Sequence, residues 1–91
     1  MNVAKYKINK GFITQKLDDK TAIFDGEESL RYTFNETASF IFQKLKIGWE
    51  EERIVGVLAK KYGIKPKKAQ DDLNGLLKDL LRKKIITQKT E

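Results

Sequence analysis

The chain has 91 residues, 40% hydrophobic and 35% charged, with a formal net charge of +6. That is enough for one small core. The absence of Cys and His excludes disulfides, thiolate or imidazole metal sites, and Cys–His or Ser–His catalytic couples. With no apolar run of about eighteen residues and no signal-peptide pattern, a cytoplasmic protein with no membrane association is expected.

Residues 1–10 show no pattern beyond Tyr6 and Ile8 and are expected to form a flexible N-terminal arm. Residues 11–17 (GFITQKL) predict a first strand, 18–20 (DDK) a turn, and 21–25 (TAIFD) a second strand rich in β-formers. The next turn, 25–28 (DGEE), gives Gly26 as the residue free to take positive φ. The third strand, 29–34 (SLRYTF), alternates, with Leu30, Tyr32 and Phe34 pointing one way. The short connections predict an antiparallel meander.

From Asn35 the rhythm becomes helical. Asn35 can cap and Glu36 suits the first turn. Ala38, Ile41, Phe42 and Leu45 form a stripe at helical spacing, over 36–46, ending near Gly48. A second helix starts near Glu50, with Ile54, Val55, Leu58 and Tyr62 as its stripe and Gly63 as its stop. A third begins at Pro66, the only proline, with Ala69, Leu73, Leu76, Leu77 and Leu80 as its stripe. Residues 84–87 (KIIT) form a short apolar end.

The order βββααα predicts an α+β fold, winged helix-turn-helix-like, as a single domain over 11–87 with a C-terminal tail at 88–91. The expected core comprises Phe12 or Ile13, Phe24, Tyr32, Phe34, Ala38, Ile41, Leu45, Ile54, Leu58, Leu73, Leu76, Leu77 and Leu80.

Charge is unevenly distributed. Residues 1–59 carry nine Lys/Arg and nine Asp/Glu, whereas residues 60–91 carry ten and four. The last third is either a solvated surface or one that attracts an acidic partner, a peptide or nucleic acid. The carboxylate groups Asp18–Asp19, Asp71–Asp72 and Glu50–Glu52 read more plainly as turn and helix-start residues than as catalytic pairs. No Gly-rich phosphate loop is present.

The third strand is the last of its meander, so one side of its backbone lacks a strand partner. Its only charge is Arg31 and it has no proline, so this edge is poorly protected. Either the third helix or the N-terminal arm covers it, or a peptide adds there as a further strand.

The segments YTFNETASFIFQKLKIG, EEERIVGVLAKKYGI and AQDDLNGLLKDLLRKKII together resemble the PqqD-like family. The matching positions are Phe34–Asn35, Ala38, Ile41, Gly48, Ile54–Val55, Leu58, Tyr62, Asp72–Leu73, Leu76–Leu77, Leu80 and Ile85–Ile86. Specificity comes from the order and spacing of many weak matches. The chain departs from the family pattern at Phe34, where Leu is usual, and at Trp49, where a small N-cap residue is common.

The resemblance implies a recognition element for ribosomally made, post-translationally modified peptides (a RiPP recognition element). Such a protein is non-catalytic and needs no cofactor. It binds the leader region of a precursor peptide by strand addition to the third strand. It presents the peptide, like a chaperone, to a separate modifying enzyme such as a radical SAM protein or a leader peptidase in natural product biosynthesis. By position, the backbone of Leu30, Arg31, Tyr32, Thr33 and Phe34 would pair with the peptide. Leu30 and Tyr32 would lean toward a groove walled by Leu73, Asn74, Leu77, Lys78 and Leu81. The basic last third would favour acidic leaders.

The alternative is a winged-helix DNA-binding protein using the third helix, which begins with Lys65, Lys67 and Lys68. Asp71 and Asp72 in the same turns would meet phosphate, and no ordered stripe of base-reading Arg or Gln is present, so nucleic acid is the weaker partner.

Overall fold

A computed structural model describes residues 6–18, 20–27 and 29–88. The elements are β1 (Tyr6–Ile8), β2 (Phe12–Leu17), β3 (Lys20–Asp25), β4 (Leu30–Phe34), α1 (Glu36–Lys46), α2 (Glu51–Tyr62), α3 (Pro66–Arg82) and β5 (Ile86–Gln88). Strands β2, β3 and β4 form the expected antiparallel meander, with β4 at one edge. The third strand predicted from sequence is β4. No described helix is long and apolar enough to cross a membrane.

The stretch expected as an arm differs from that reading. Tyr6–Ile8 is a strand and pairs antiparallel with β5, Ile8 facing Ile86. Residues 1–5 and 89–91 lie outside the described residues. Asn9 fastens this ribbon to the end of α3. Its amide Nδ2 donates to the Lys84 carbonyl at 2.7 Å, its backbone N–H donates to Ile85, and its Oδ1 accepts from the Thr87 hydroxyl. The chain leaves α3 through Lys84 at φ 61°.

The helices end as their sequences require. Asn35 caps α1, its side-chain oxygen accepting from the Ala38 N–H at 2.8 Å. Gly48 at φ 91° follows α1, and Gly63 at φ 63° closes α2. Both occupy the left-handed region that glycine enters without Cβ strain. Trp49 does not cap α2; Glu50 does, without a side-chain bond. The indole of Trp49 instead lies under the Arg53 guanidinium at 3.8 Å and the Lys44 ammonium at 4.7 Å, with the Phe40 ring edge-on at 6.4 Å. An aromatic face between cations covers the α1–α2 junction better than a small cap could.

The core joins α1, α2 and α3 to the sheet through Ile41, Phe42, Leu45, Ile54, Leu58, Ala69, Leu73, Leu76, Leu77 and Leu80, with Ile23, Phe34, Ile85 and Ile86. Ile23 is fully buried and Phe24 only half-buried. The expected core position in TAIFD is therefore one residue off. A continuous apolar run gives no alternation from which to choose a face, and pairing decides it.

The β3–β4 turn also differs from expectation. Gly26 is not among the positive-φ residues. The Asp25 carboxylate organises the turn instead. One oxygen accepts from the Glu27 and Ser29 N–H groups at 2.9 and 3.0 Å, and the other accepts from Arg31 Nε at 2.7 Å. The Ser29 N–H above all, with those of Glu27 and the Arg31 guanidinium, holds the Asp25 carboxyl below its ordinary value of 3.8. A group with a lowered folded-state pKa contributes stability above its unfolded-chain pKa and loses it as pH falls through the folded one. The expected result is that Asp25→Asn destabilises the protein at neutral pH, with the gap to the parent closing only below about pH 4. Urea titrations at a series of pH values check this; a gap that persists undiminished into strong acid refutes it.

Candidate functional site

The candidate site centres on strand β4. Ile23 faces Tyr32 and Phe24 faces Leu30, so Arg31 is an extra residue on β4, a β-bulge. The bulge resets the alternation. Phe34 is buried, with its ring 4.9 Å from Phe42 and 5.0 Å from Tyr32. Leu30, expected on the same face, is 57% exposed and sits in register with Phe24 and Ile13 on the outer face of the sheet. Arg31 reaches the helix side, where it meets Asp25 and shares a cavity of about 370 Å³ with Phe12, Lys83 and Ile85. The side chains of Arg31 and Leu30 have therefore exchanged the sides that simple alternation predicts.

The direction of the free backbone groups follows from the ladder. Asp25 donates its N–H toward Ser29, so the alternate residues Ile23 and Thr21 also turn theirs toward β4. Their partners Tyr32 and Phe34 face back to β3. Thr33, between them, points its N–H and C=O outward. Among the described residues no strand pairs with that side of β4. Tyr6–Ile8, part of the stretch that could have covered it, pair with β5 instead.

Beside this edge a cavity of about 490 Å³ opens between β4, the start of α1 and one flank of α3. Tyr32, Asn35, Ala38 and Ile41 line one side, and Lys68, Asp71, Asp72, Gly75, Leu76 and Asp79 the other. The α3 residues recur at helical spacing and form a single flank. Gly75 lies at its middle, and a Cβ built there would meet nothing within 4 Å. A glycine in a helix interior costs about 0.5–1 kcal/mol relative to Ala, and this one leaves open space for whatever lies against α3. Tyr32 bridges the two walls, its hydroxyl donating to Asp79 Oδ2 at 3.3 Å. Burial, then the Asp79 carboxylate, raises the phenol pKa, so the hydroxyl keeps its donor proton.

The structure brings together only part of the set expected from sequence. Leu30, Arg31, Tyr32, Thr33 and Phe34 form the edge strand. On α3, Leu73 and Leu77 are core residues, while Asn74, Lys78 and Leu81 are exposed and line no part of this cavity. Lys68, Asp71, Asp72, Gly75 and Asp79 take the place assigned to them. The leucine stripe marks the buried face of α3, but a helix has two flanks beside its buried face. Which one meets β4 depends on how the helix is laid. The internal Gly75 was the one local signal for the correct flank.

The charge expectation changes with it. The basic excess of the last third is real, yet this cavity is lined by three carboxylates and one ammonium. Lys68 pairs with Asp72 at 2.8 Å and Lys67 with Asp71 at 3.8 Å, so the first lysines of α3 are engaged with acids of their own helix.

A family model described as coenzyme PQQ synthesis protein D (PqqD) matches residues 20–86. Among solved structures, TbiB1 in complex with the TbiA(beta) leader peptide is similar to this chain, with a TM-score of 0.78 at 20% identity, covering 93% of this chain and 99% of that one. A lasso peptide synthetase B1 complexed with the leader peptide is also similar, with a TM-score of 0.82 at 20% identity, covering 92% and 99%. At that identity the likeness is one of fold. No curated protein matches the chain.

Proposed function

The chain belongs to the PqqD family, and from that premise we propose that it is a non-catalytic element that binds the leader region of a ribosomally made precursor peptide and presents it to a separate modifying enzyme. The observation that carries this reading is the outward-facing backbone of Thr33 on an unpaired strand, next to a cavity walled by α3. An extended peptide gains main-chain hydrogen bonds from such an edge and side-chain selectivity from the pocket beside it. The two solved structures of similar fold are both complexes with leader peptides, which supports leader binding by this chain. The chain has no Cys or His, so chemistry on the core peptide falls to the partner enzyme, a radical SAM protein or a leader peptidase. Binding and presentation take place in the cytoplasm. Recognition of DNA by α3 is the poorer reading, because Lys67 and Lys68 are paired to Asp71 and Asp72 and those carboxylates would face phosphate.

The test uses a phage-displayed library of random peptides of about twelve residues, selected against the protein. Hydrogen exchange is then followed by NMR with and without a selected peptide. The Thr33 amide, open in the free protein, should exchange about tenfold or more slowly in the complex, as a newly paired strand amide does. Protection confined to α3, with Thr33 unchanged, overturns strand addition.

A further inference from the structure

Building on the strand-addition reading above, we propose that the groove between β4 and α3 reads the order of charges in the bound peptide, taking a cationic residue toward its N-terminus and an anionic residue about four to six positions later. The two ends of the groove carry opposite charge. At the end nearest the start of α1, Asp71 and Asp72 line the cavity with Lys68, which pairs with Asp72 at 2.8 Å, as its one cation; Asp79 lies farther along α3, held by the Tyr32 hydroxyl and by Arg82 at 3.5 Å. At the other end Arg31 and Lys83 share a cavity whose single carboxylate, Asp25, is already bound to Arg31 at 2.7 Å. Lys83 has no ion-pair partner among the described residues; its ammonium lies 5.8 Å from the ring centroid of Tyr32, between the two ends.

The spacing follows from the geometry of the wall. Asp72 and Lys83 are eleven residues apart along and just past α3. At ~1.5 Å per residue this is about 16 Å. A strand rising ~3.3 Å per residue covers that distance in about five residues. Side chains on one face of a strand are an even number apart, so the two charges that face α3 stand four or six apart.

The polarity follows from the direction of β4. Arg31 shares its cavity with Lys83 at the end of α3, whereas Asn35 shares its cavity with Lys68 near the start, so β4 runs antiparallel to α3. A peptide added antiparallel to β4, the more stable pairing, runs with α3 from the acidic end to the basic end. Its cation therefore precedes its anion. The peptide this groove fits carries both signs in order, unlike the uniformly acidic leader that net charge suggests. Opposite charges aligned across an interface set register and partner choice more than raw affinity.

The experiment uses the phage-selected peptides of about twelve residues. They should be enriched for Lys or Arg followed four or six positions later by Asp or Glu. Asp72→Lys should weaken a selected peptide about tenfold at low salt. Exchanging that peptide's Lys for Glu should restore its affinity for Asp72→Lys, with circular dichroism confirming that the variant stays folded. Selected peptides that lose binding to Thr33→Pro yet show no charge order, or that bind Asp72→Lys as well as the parent, overturn the charge reading and leave strand addition standing. If nothing is selected, or the selected peptides bind Thr33→Pro undiminished, strand addition fails and the charge reading falls with it.

Discussion

Thr33→Pro is expected to abolish peptide binding while the protein stays folded. The reason is the direction of one N–H. Tyr32 and Phe34 give their backbone groups to β3, and Thr33 between them turns outward. Proline there removes the central donor of the free edge and places its ring where an added strand would lie. The ladder from β4 to β3 does not use that N–H, so it persists. The Thr33 side chain is exposed and faces away from the core. Thr33→Ala should therefore cost under about 1 kcal/mol of binding, the scale of one cross-strand pair. Calorimetric titration of a selected peptide into both variants measures the difference, with circular dichroism as the folding control. A folded Thr33→Pro that binds as well as the parent would falsify the assignment of β4 as the binding edge.

Phe34→Ala should instead destabilise the whole fold, by about 3–5 kcal/mol. Phe34 is 2% exposed. Its ring stacks on Phe42 at 4.9 Å and packs against Tyr32 at 5.0 Å, so it pins the last residue of the edge strand to α1. Asn35 follows at once as the helix cap, and the position of the edge strand thus depends on this contact. A domain of this size has only about 5–15 kcal/mol of net stability, so the loss is a large share of the total. Phe34→Leu keeps most of the volume and should cost less than about 1.5 kcal/mol. Urea unfolding reads both as shifts of midpoint at constant slope. An alanine variant within about 1 kcal/mol of the parent would show that the Phe34 contact with α1 is dispensable.

Much of the architecture was legible in the chain. Asn35, Glu36 and the stripe Ala38, Ile41, Phe42, Leu45 place α1 at the residues where it lies. Gly63 and Pro66 mark the end of α2 and the start of α3. These signals are local: a cap, a breaker and a period act within one turn of helix. The order of many weak matches also pointed to the family that the 20–86 match establishes.

The misplaced residues share a different cause. Ile23 rather than Phe24 enters the core because the register with β4 decides which face is inward. The bulge at Arg31 turns Leu30 outward, and nothing within SLRYTF announces an inserted residue. Strand β1 finds β5 across most of the chain, Tyr6 facing Gln88, and three residues are too few to show a period. The unpaired edge itself was legible, since the last strand of a meander must have one.

What the sequence by itself determined is the set of elements, the buried face of each helix, the unpaired last strand and the absence of thiol or imidazole chemistry. Those depend on neighbours within a few residues or on composition alone. Only the tertiary structure decided which flank of α3 meets β4, that Gly75 opens that flank, and that three aspartates line the cavity beside β4 in a segment whose summed charge is positive. Net charge adds over the chain, whereas a bound peptide feels only charges within about a Debye length, roughly 8–10 Å. The rotation and placement of α3 set those distances, and they follow from packing its leucines against three other elements at once.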